Sequence, residues 1–220
     1  MQKTVEAQSV FEGEKMGKRF LMYILGFLIM TLGIAISVKS NLGVSPVSSI
    51  PYTLTCVLGL EMGKATIVFH IALVLLQVII MRRDFKIKNL LQIPAGIIFG
   101  YFTTFCNWLM GFVAFPDTLI IRIIMLLIST VLIALGLFFY VPANIIPLAG
   151  EGAILAFSDR FGYEFSNVKL VFDVSMVTIS SITCLLVLKN LGSVGIGTIV
   201  AAFLVGNELK LIKLAYGRIR

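Results

Sequence analysis

The chain has 220 residues, 59% of them hydrophobic and 13% charged, with a mean hydropathy of +1.03. A soluble domain, in which about a quarter of residues carry charge, is excluded; several apolar runs reach or approach the roughly 20 residues that carry a helix across about 30 Å of hydrocarbon. The net charge of +7 does not point to nucleic acid, because the basic residues stand in short clusters beside apolar spans, where they set topology.

Residues 1–19 are polar and carry no cleavable signal, so they read as a cytoplasmic N-terminal segment. Six spans follow, at 20–38, 65–81, 90–115, 119–141, 168–188 and 194–212. The alternation of an outer-membrane barrel is absent, which makes the class all-α. Twelve of the 18 basic residues fall in three clusters: Lys3, Lys15, Lys18 and Arg19; Arg82, Arg83, Lys86 and Lys88; Lys210, Lys213, Arg218 and Arg220. Six spans with both termini cytoplasmic put all three inside and leave Lys39, Lys64 and Lys189 outside.

Two stretches, 41–60 and 144–162, are moderately apolar but short and interrupted by Gly and Pro. If both crossed, the cluster at 82–88 would move outside. Each is therefore read as re-entrant, descending from one surface and returning to it as a half-helix. Irregular backbone at membrane depth is tolerated where protein or a water-filled cavity satisfies its polar groups, so these segments predict a cavity.

The chain also repeats itself. At an offset of 103 residues Leu32, Gly33, Asn41, Gly59, Glu61, Val68 and Phe69 match Leu135, Gly136, Asn144, Gly162, Glu164, Val171 and Phe172. After a two-residue contraction, Gly96, Ile98 and Phe102 match Gly197, Ile199 and Phe203. The halves, 20–115 and 119–213, are each span, re-entrant segment, span, span. Three crossings per half is odd, so the halves insert with opposite orientation. Inverted repeats with broken segments in corresponding positions are the signature of secondary transporters.

The first broken segment reads NLGVSPVSSIPYTL, where Ser45 or Ser48 would cap a half-helix whose first turn holds Pro46. The second reads NIIPLAGEGAILAF, with Pro147 at the turn and Glu151, in the place of Ser48, flanked by Gly150 and Gly152. The glycines allow close approach of backbone or ligand, and a half-helix N-terminus suits an anion. A carboxylate at membrane depth costs a few kcal/mol, so Glu151 needs a partner, water or a proton. It is expected to bind substrate or coupling ion; the alternative is a local helix cap beside an aqueous vestibule.

His70 and Asp173 occupy equivalent positions in VFH and VFD. They form either a proton relay between the two faces or bonds to backbone of the neighbouring broken segments. Asn41 and Asn144 end the first span of each half, where their amides would hold freed backbone groups or a ligand. Arg122 is expected to snorkel. The glycines of VGIGT and IPAGIIFG read as helix packing, not a nucleotide loop. Trp108 and Tyr101 read as interfacial or packing aromatics, and Cys56, Cys106 and Cys184, which stand singly, as small core residues.

The segments GVSPVSS, PLAGEGAILAFSDRFG, NVKLVFDVSMV and VGIGTIVAAFLVGNELK resemble the YczE/YyaS/YitT group of bacterial membrane proteins over nearly the whole chain. Members commonly carry an aromatic or acidic residue where this chain has Val47 and Ser48, and Pro where it has Asn207. The resemblance implies an inner-membrane location and supports the repeat; it supplies no substrate.

The functional expectation is a secondary transporter of a small organic solute, driven by protons or sodium, with the lipid bilayer and the solute as partners. No enzyme constellation, metal site, cofactor or nucleic-acid partner is expected, and a homodimer is left open. The solute is anionic if the half-helix N-termini bind it and cationic if Glu151 and Asp173 do. The rivals are a substrate-capturing subunit of a multicomponent uptake system and a non-transporting membrane accessory factor.

Overall fold

The computed structural model describes residues 15–114, 118–192 and 194–219. Residues 1–14 with Lys3, the expected span end at Phe115, the side chain of Arg218 and Arg220 lie outside the described residues. The described residues contain no strand and eight α-helices: α1 Met16–Ser40, α2 Pro46–Leu58, α3 Met62–Met81, α4 Gln92–Gly111, α5 Leu119–Ala143, α6 Ala149–Phe161, α7 Phe165–Leu188 and α8 Ile196–Ile219. Two 3-10 turns, Arg82–Asp84 and Ile87–Leu91, link α3 to α4.

Five helical stretches are long and apolar enough to cross a membrane: Met16–Ser40, Met62–Asp84, Ile87–Gly111, Leu119–Ala143 and Phe165–Leu188. The chain is a membrane protein. α8 is as long as α7 but carries Glu208, Lys210 and Lys213 along its length and stands outside that set. α2 and α6 have 13 residues each, about 20 Å at 1.5 Å per residue, too short for a crossing.

The helix ends follow from local chemistry. α1 and α5 stop at Asn41 and Asn144, both left-handed, with φ of 54° and 47°; Asn is one of the few side chains that tolerates that region. α2 and α6 stop at left-handed Gly59 and Gly162. Pro46 opens α2 at a position that needs no N–H donor. Pro51, one turn further on, cannot donate to the Val47 carbonyl.

α1 and α5 form the central pair and run antiparallel, because Gly26 lies against Gly136 and Tyr140, while Gly33, two turns later, lies against Ser129 and Ile133. A Cβ on Gly26 would stand 2.7 Å from the Tyr140 backbone nitrogen, and one on Gly136 would stand 2.6 Å from Met30 Cβ. Small residues at this spacing let backbones close up where lipid supplies no hydrophobic drive. Around them Tyr23, Phe27, Phe99 and Tyr140 interlock with ring centroids 4.4–5.5 Å apart. The Arg19 guanidinium donates to the Ala143 carbonyl at 2.8 and 3.0 Å, holding the start of α1 on the C-terminal end of α5.

The remaining contacts come in pairs. α4 packs on α1 as α8 packs on α5; α7 packs on α2 as α6 packs on α3; α3 follows α2 as α7 follows α6. One contact has no counterpart. α3 and α4 lie closely along each other, with a Cβ on Gly63 meeting the Gly100 carbonyl at 2.3 Å and a Cβ on Gly96 meeting His70 Nδ1 at 2.6 Å. Among the described residues α7 and α8 are not packed along each other in this way.

The glycines of IPAGIIFG, Gly96 and Gly100, pack helix on helix as expected, whereas those of VGIGT meet the loop after α1: a Cβ on Gly195 would stand 2.2 Å from the Leu42 carbonyl oxygen, and the Gly197 N–H donates to that same oxygen at 2.8 Å. Cys106 and Cys184 are buried, Cys56 is half-buried, and none of the three is in a disulfide. Trp108 and Tyr101 are exposed, Trp108 with its ring edge-on to Phe112 at 4.7 Å.

Candidate functional site

Each long helix at the centre of the fold is followed by a loop that turns back before a short helix begins. After α1, the Ser37 hydroxyl donates to the Gly43 carbonyl at 3.0 Å; Val44 is fully buried and α2 starts beside Met30 and Ile34 of α1. After α5, the Leu148 N–H donates to the Tyr140 hydroxyl and the Tyr23 hydroxyl donates to the Ile146 carbonyl at 3.0 Å. Both short helices thereby present their first turns to one cavity of about 240 Å³, lined by Ser45 to Ser48 on one side and by Leu148, Gly150 and Glu151 on the other. Met30, Ile34, Ile133 and Leu137 give it apolar walls, and Phe69, His70 and Phe99 line it from α3 and α4.

Ser45 precedes α2 as its cap residue, but its hydroxyl makes no cap bond. It donates instead to Ser48 Oγ at 2.9 Å, so the expected capping role goes unfilled and both hydroxyls sit at the cavity wall. Glu151 lies in the first turn of α6, where the helix dipole favours a negative charge. Its Oε2 accepts from the Tyr140 hydroxyl at 3.5 Å, the outer limit of a hydrogen bond.

That first turn is fixed from behind by two amides that the sequence did not single out. Gln77 of α3 and Gln92 of α4 are fully buried and exchange hydrogen bonds at 2.8 and 3.1 Å. Gln77 also donates to the Ala149 carbonyl at 3.2 Å. Gly152 is the residue that makes room, since a Cβ there would stand 2.5 Å from the side-chain oxygen Oε1 of Gln92. Gly150, on the cavity side, has only Val47 Cγ1 near its missing Cβ, at 3.6 Å.

Asp173 lines the cavity from α7 with Lys169 one turn before it. The Lys169 ammonium donates to Asp173 Oδ2 at 2.8 Å, while Oδ1 is buried without a partner. The i,i+4 spacing was legible in NVKLVFD, yet Lys169 was not singled out. His70 is 5% exposed, stacked on Phe99 at 5.7 Å, and its Nδ1 faces Gly96 without a hydrogen-bond partner.

The cavity thus brings together Ser45, Ser48, His70, Gly150, Glu151 and Asp173. It does not include Asn41 and Asn144, which are exposed and serve as the left-handed ends of α1 and α5, nor Gly152, which faces Gln92. Arg122 is half-buried in the first turn of α5. Among the described residues no group of three or more His, Cys, Asp or Glu is placed to hold a metal ion.

A family model described as "Family of unknown function (DUF6198)" matches residues 17–214. The chain belongs to DUF6198. It is 25% identical over 192 residues to "Uncharacterized protein YyaS" of Bacillus subtilis (strain 168), an alignment covering 86% of this chain and 89% of that protein. This bears out the resemblance to YyaS-like proteins read from the GEG and VKLVFDVS segments. No solved structure matches. The DUF6198 match runs from Gly17 in α1 to Leu214 in α8 and takes in every cavity residue named above.

Proposed function

We propose that the chain is a secondary active transporter of a small organic solute in the bacterial inner membrane, coupled to protons or sodium, with no chemical step of its own. The observation that carries this reading is the cavity between the first turns of two short helices, with one carboxylate, Glu151, that no cation among the described residues neutralises by contact. In transporters built of inverted repeats the solute lies near the midplane between broken helices.

The geometry supports two halves of like construction. Met16 and Leu119, Pro46 and Ala149, and Met62 and Phe165 open corresponding helices and stand 103 residues apart. α1 and α5, the corresponding first helices, run antiparallel, as inversion requires. α8 is taken as the sixth crossing, because its acidic residue is not lipid-facing: Thr130 of α5 donates to Glu208 Oε1 at 3.0 Å. α2 and α6 are then re-entrant. Both termini and the cluster at 82–88 lie inside, where Asp84 and Arg160 also pair at 3.6 Å across the ends of α3 and α6.

With that orientation the unmatched contact acquires a meaning. α3 and α4 are closed on the outer side, whereas the cavity reaches between α7 and α8, on the inner side, past Lys169, Asp173, Ala202 and Leu209. This arrangement is an inward-open state, and exchanging the two conformations between halves gives the outward-open one. Purified protein in proteoliposomes should carry solute down an imposed ion gradient. Absence of flux, together with co-purification of an ATPase, would favour a subunit of a larger uptake system instead.

A further inference from the structure

The cavity holds three charged side chains whose signs do not cancel, and the way they pair selects the charge of the solute. Lys169 is bonded to Asp173 Oδ2 at 2.8 Å and closes a local ion pair within one helix turn. Glu151 accepts from the Tyr140 hydroxyl at 3.5 Å and, among the described residues, stands in no such ion pair, so it is the excess charge of the site. Asp173, which on sequence grounds was an equal candidate for holding a cation, already has one.

The geometry points to a solute bearing an ammonium group, held by Glu151 as its counter-ion, with the Lys169–Asp173 pair as a neutral neighbour and not a second binding group. This inference rests on the transport reading for the cavity and names its substrate class. A carboxylate set in a low-dielectric wall attracts a cation far more strongly than one in water, and Phe69 and Phe99 help to line that wall. About 240 Å³ lies below the usual range of roughly 300–1,000 Å³ for drug-sized ligands, which restricts the solute to a small amine or amino acid. A solute whose only charge is a carboxylate would place like charge against Glu151, without the Lys169 ammonium free to receive it.

The test uses the purified full chain in detergent and four probes sharing one branched carbon skeleton: 3-methylbutylammonium, leucine, 4-methylpentanoate and 3-methylbutanol. Thermal stability is measured against concentration of each. The amine and leucine should raise the melting temperature saturably, and the carboxylate and alcohol should not. Glu151→Gln should weaken the amine by at least about thirtyfold, the usual order for losing one partner of a desolvated ion pair. The double variant Lys169→Met with Asp173→Leu, which removes the neutral pair together, should retain amine binding within about threefold. Stabilisation by 4-methylpentanoate and not by the amine overturns the inference, as does amine binding unchanged in Glu151→Gln, or no stabilisation by either ammonium probe at tens of millimolar. The wild-type pattern decides alone if Glu151→Gln fails to fold. The transport reading fails separately: saturable amine binding with no ion-driven flux in proteoliposomes keeps the ammonium site and removes the transporter, whereas flux of 4-methylpentanoate keeps the transporter and removes the ammonium site.

Discussion

The α3–α4 pair and the α7–α8 pair occupy corresponding places in the two halves of the chain and are built from different residues. In α3–α4, Gly63, Gly96 and Gly100 let the backbones meet, and Ile67 fills the space beside Gly100. At the matching places α7 carries Ser166 and Leu170, and Leu170 is 65% exposed. His70, wedged between α3 and α4, corresponds to Asp173, which opens onto the cavity with Lys169 beside it. Close helix contact in a membrane depends on small residues and van der Waals fit. The first pair is therefore closed by shape, whereas the second is left apart by a charged turn and a bulky apolar one. The difference shows that like helix order in two halves does not fix like packing.

The largest expected effect falls on the charge that lines the cavity, Glu151. Glu151→Gln keeps shape and hydrogen-bonding capacity but removes the excess charge, and should reduce ion-driven uptake by about a hundredfold or more with expression unchanged. That loss corresponds to roughly 2.7 kcal/mol. Uptake within a few-fold of wild type would make Glu151 a local cap of α6. Next comes the closed side. Gly63→Val would place branched carbon against the Gly100 carbonyl and Thr104, costing about 1–3 kcal/mol by overpacking. The matching Ser166→Val, on exposed surface of α7, should cost less than about 0.5 kcal/mol. Thermal unfolding of the two variants compares the pairs directly, and equal losses would contradict the difference in packing between them.

An effect of similar size is expected behind the site. Gln77→Leu strips Gln92 and the Ala149 carbonyl of their shared donor and should cost about 1–3 kcal/mol, the usual penalty for leaving buried polar groups unpaired. Removing both amides, as Gln77→Leu with Gln92→Met, should recover part of it, and a strictly additive double-mutant cycle would contradict the exchange of hydrogen bonds. The smallest effect belongs to Asn41→Gly, because Asn41 is exposed, left-handed and outside the cavity. Glycine takes that conformation freely, so stability and uptake should both stay near wild type. A severe loss of uptake would restore Asn41 as a ligand group.

Much of this was legible in the chain because it rests on local chemistry. The Gly and Pro content of 41–60 and 144–162 marked the two short helices, and the offset of 103 brought Asn41 onto Asn144 and Gly59 onto Gly162, pairs that share their left-handed ends. Glu151, Ser48, His70 and Asp173 could be marked as polar groups in apolar surroundings. What stayed hidden depended on contacts between distant segments. Gln77 and Gln92 look like ordinary residues near a loop, and only the approach of α6 makes them a buried pair. Tyr140 lies in an aromatic run, and its hydroxyl matters only because the 144–148 loop folds back onto it. The commitment of Asp173 to Lys169 was readable at i,i+4 spacing; that it leaves Glu151 as the excess charge required the cavity.

The measurement that bears most directly on exchange between the two pairs is a cysteine cross-link at positions 170 and 201, which match Ile67 and Gly100 of the closed pair. In a chain otherwise free of cysteine, Leu170→Cys with Ala201→Cys should form few cross-links at rest, because α7 and α8 stand apart. During ion-driven uptake a short bifunctional reagent should trap the pair, stop uptake, and release it on reduction. Full uptake without any cross-link during turnover would contradict the account, since α7 and α8 would then never close.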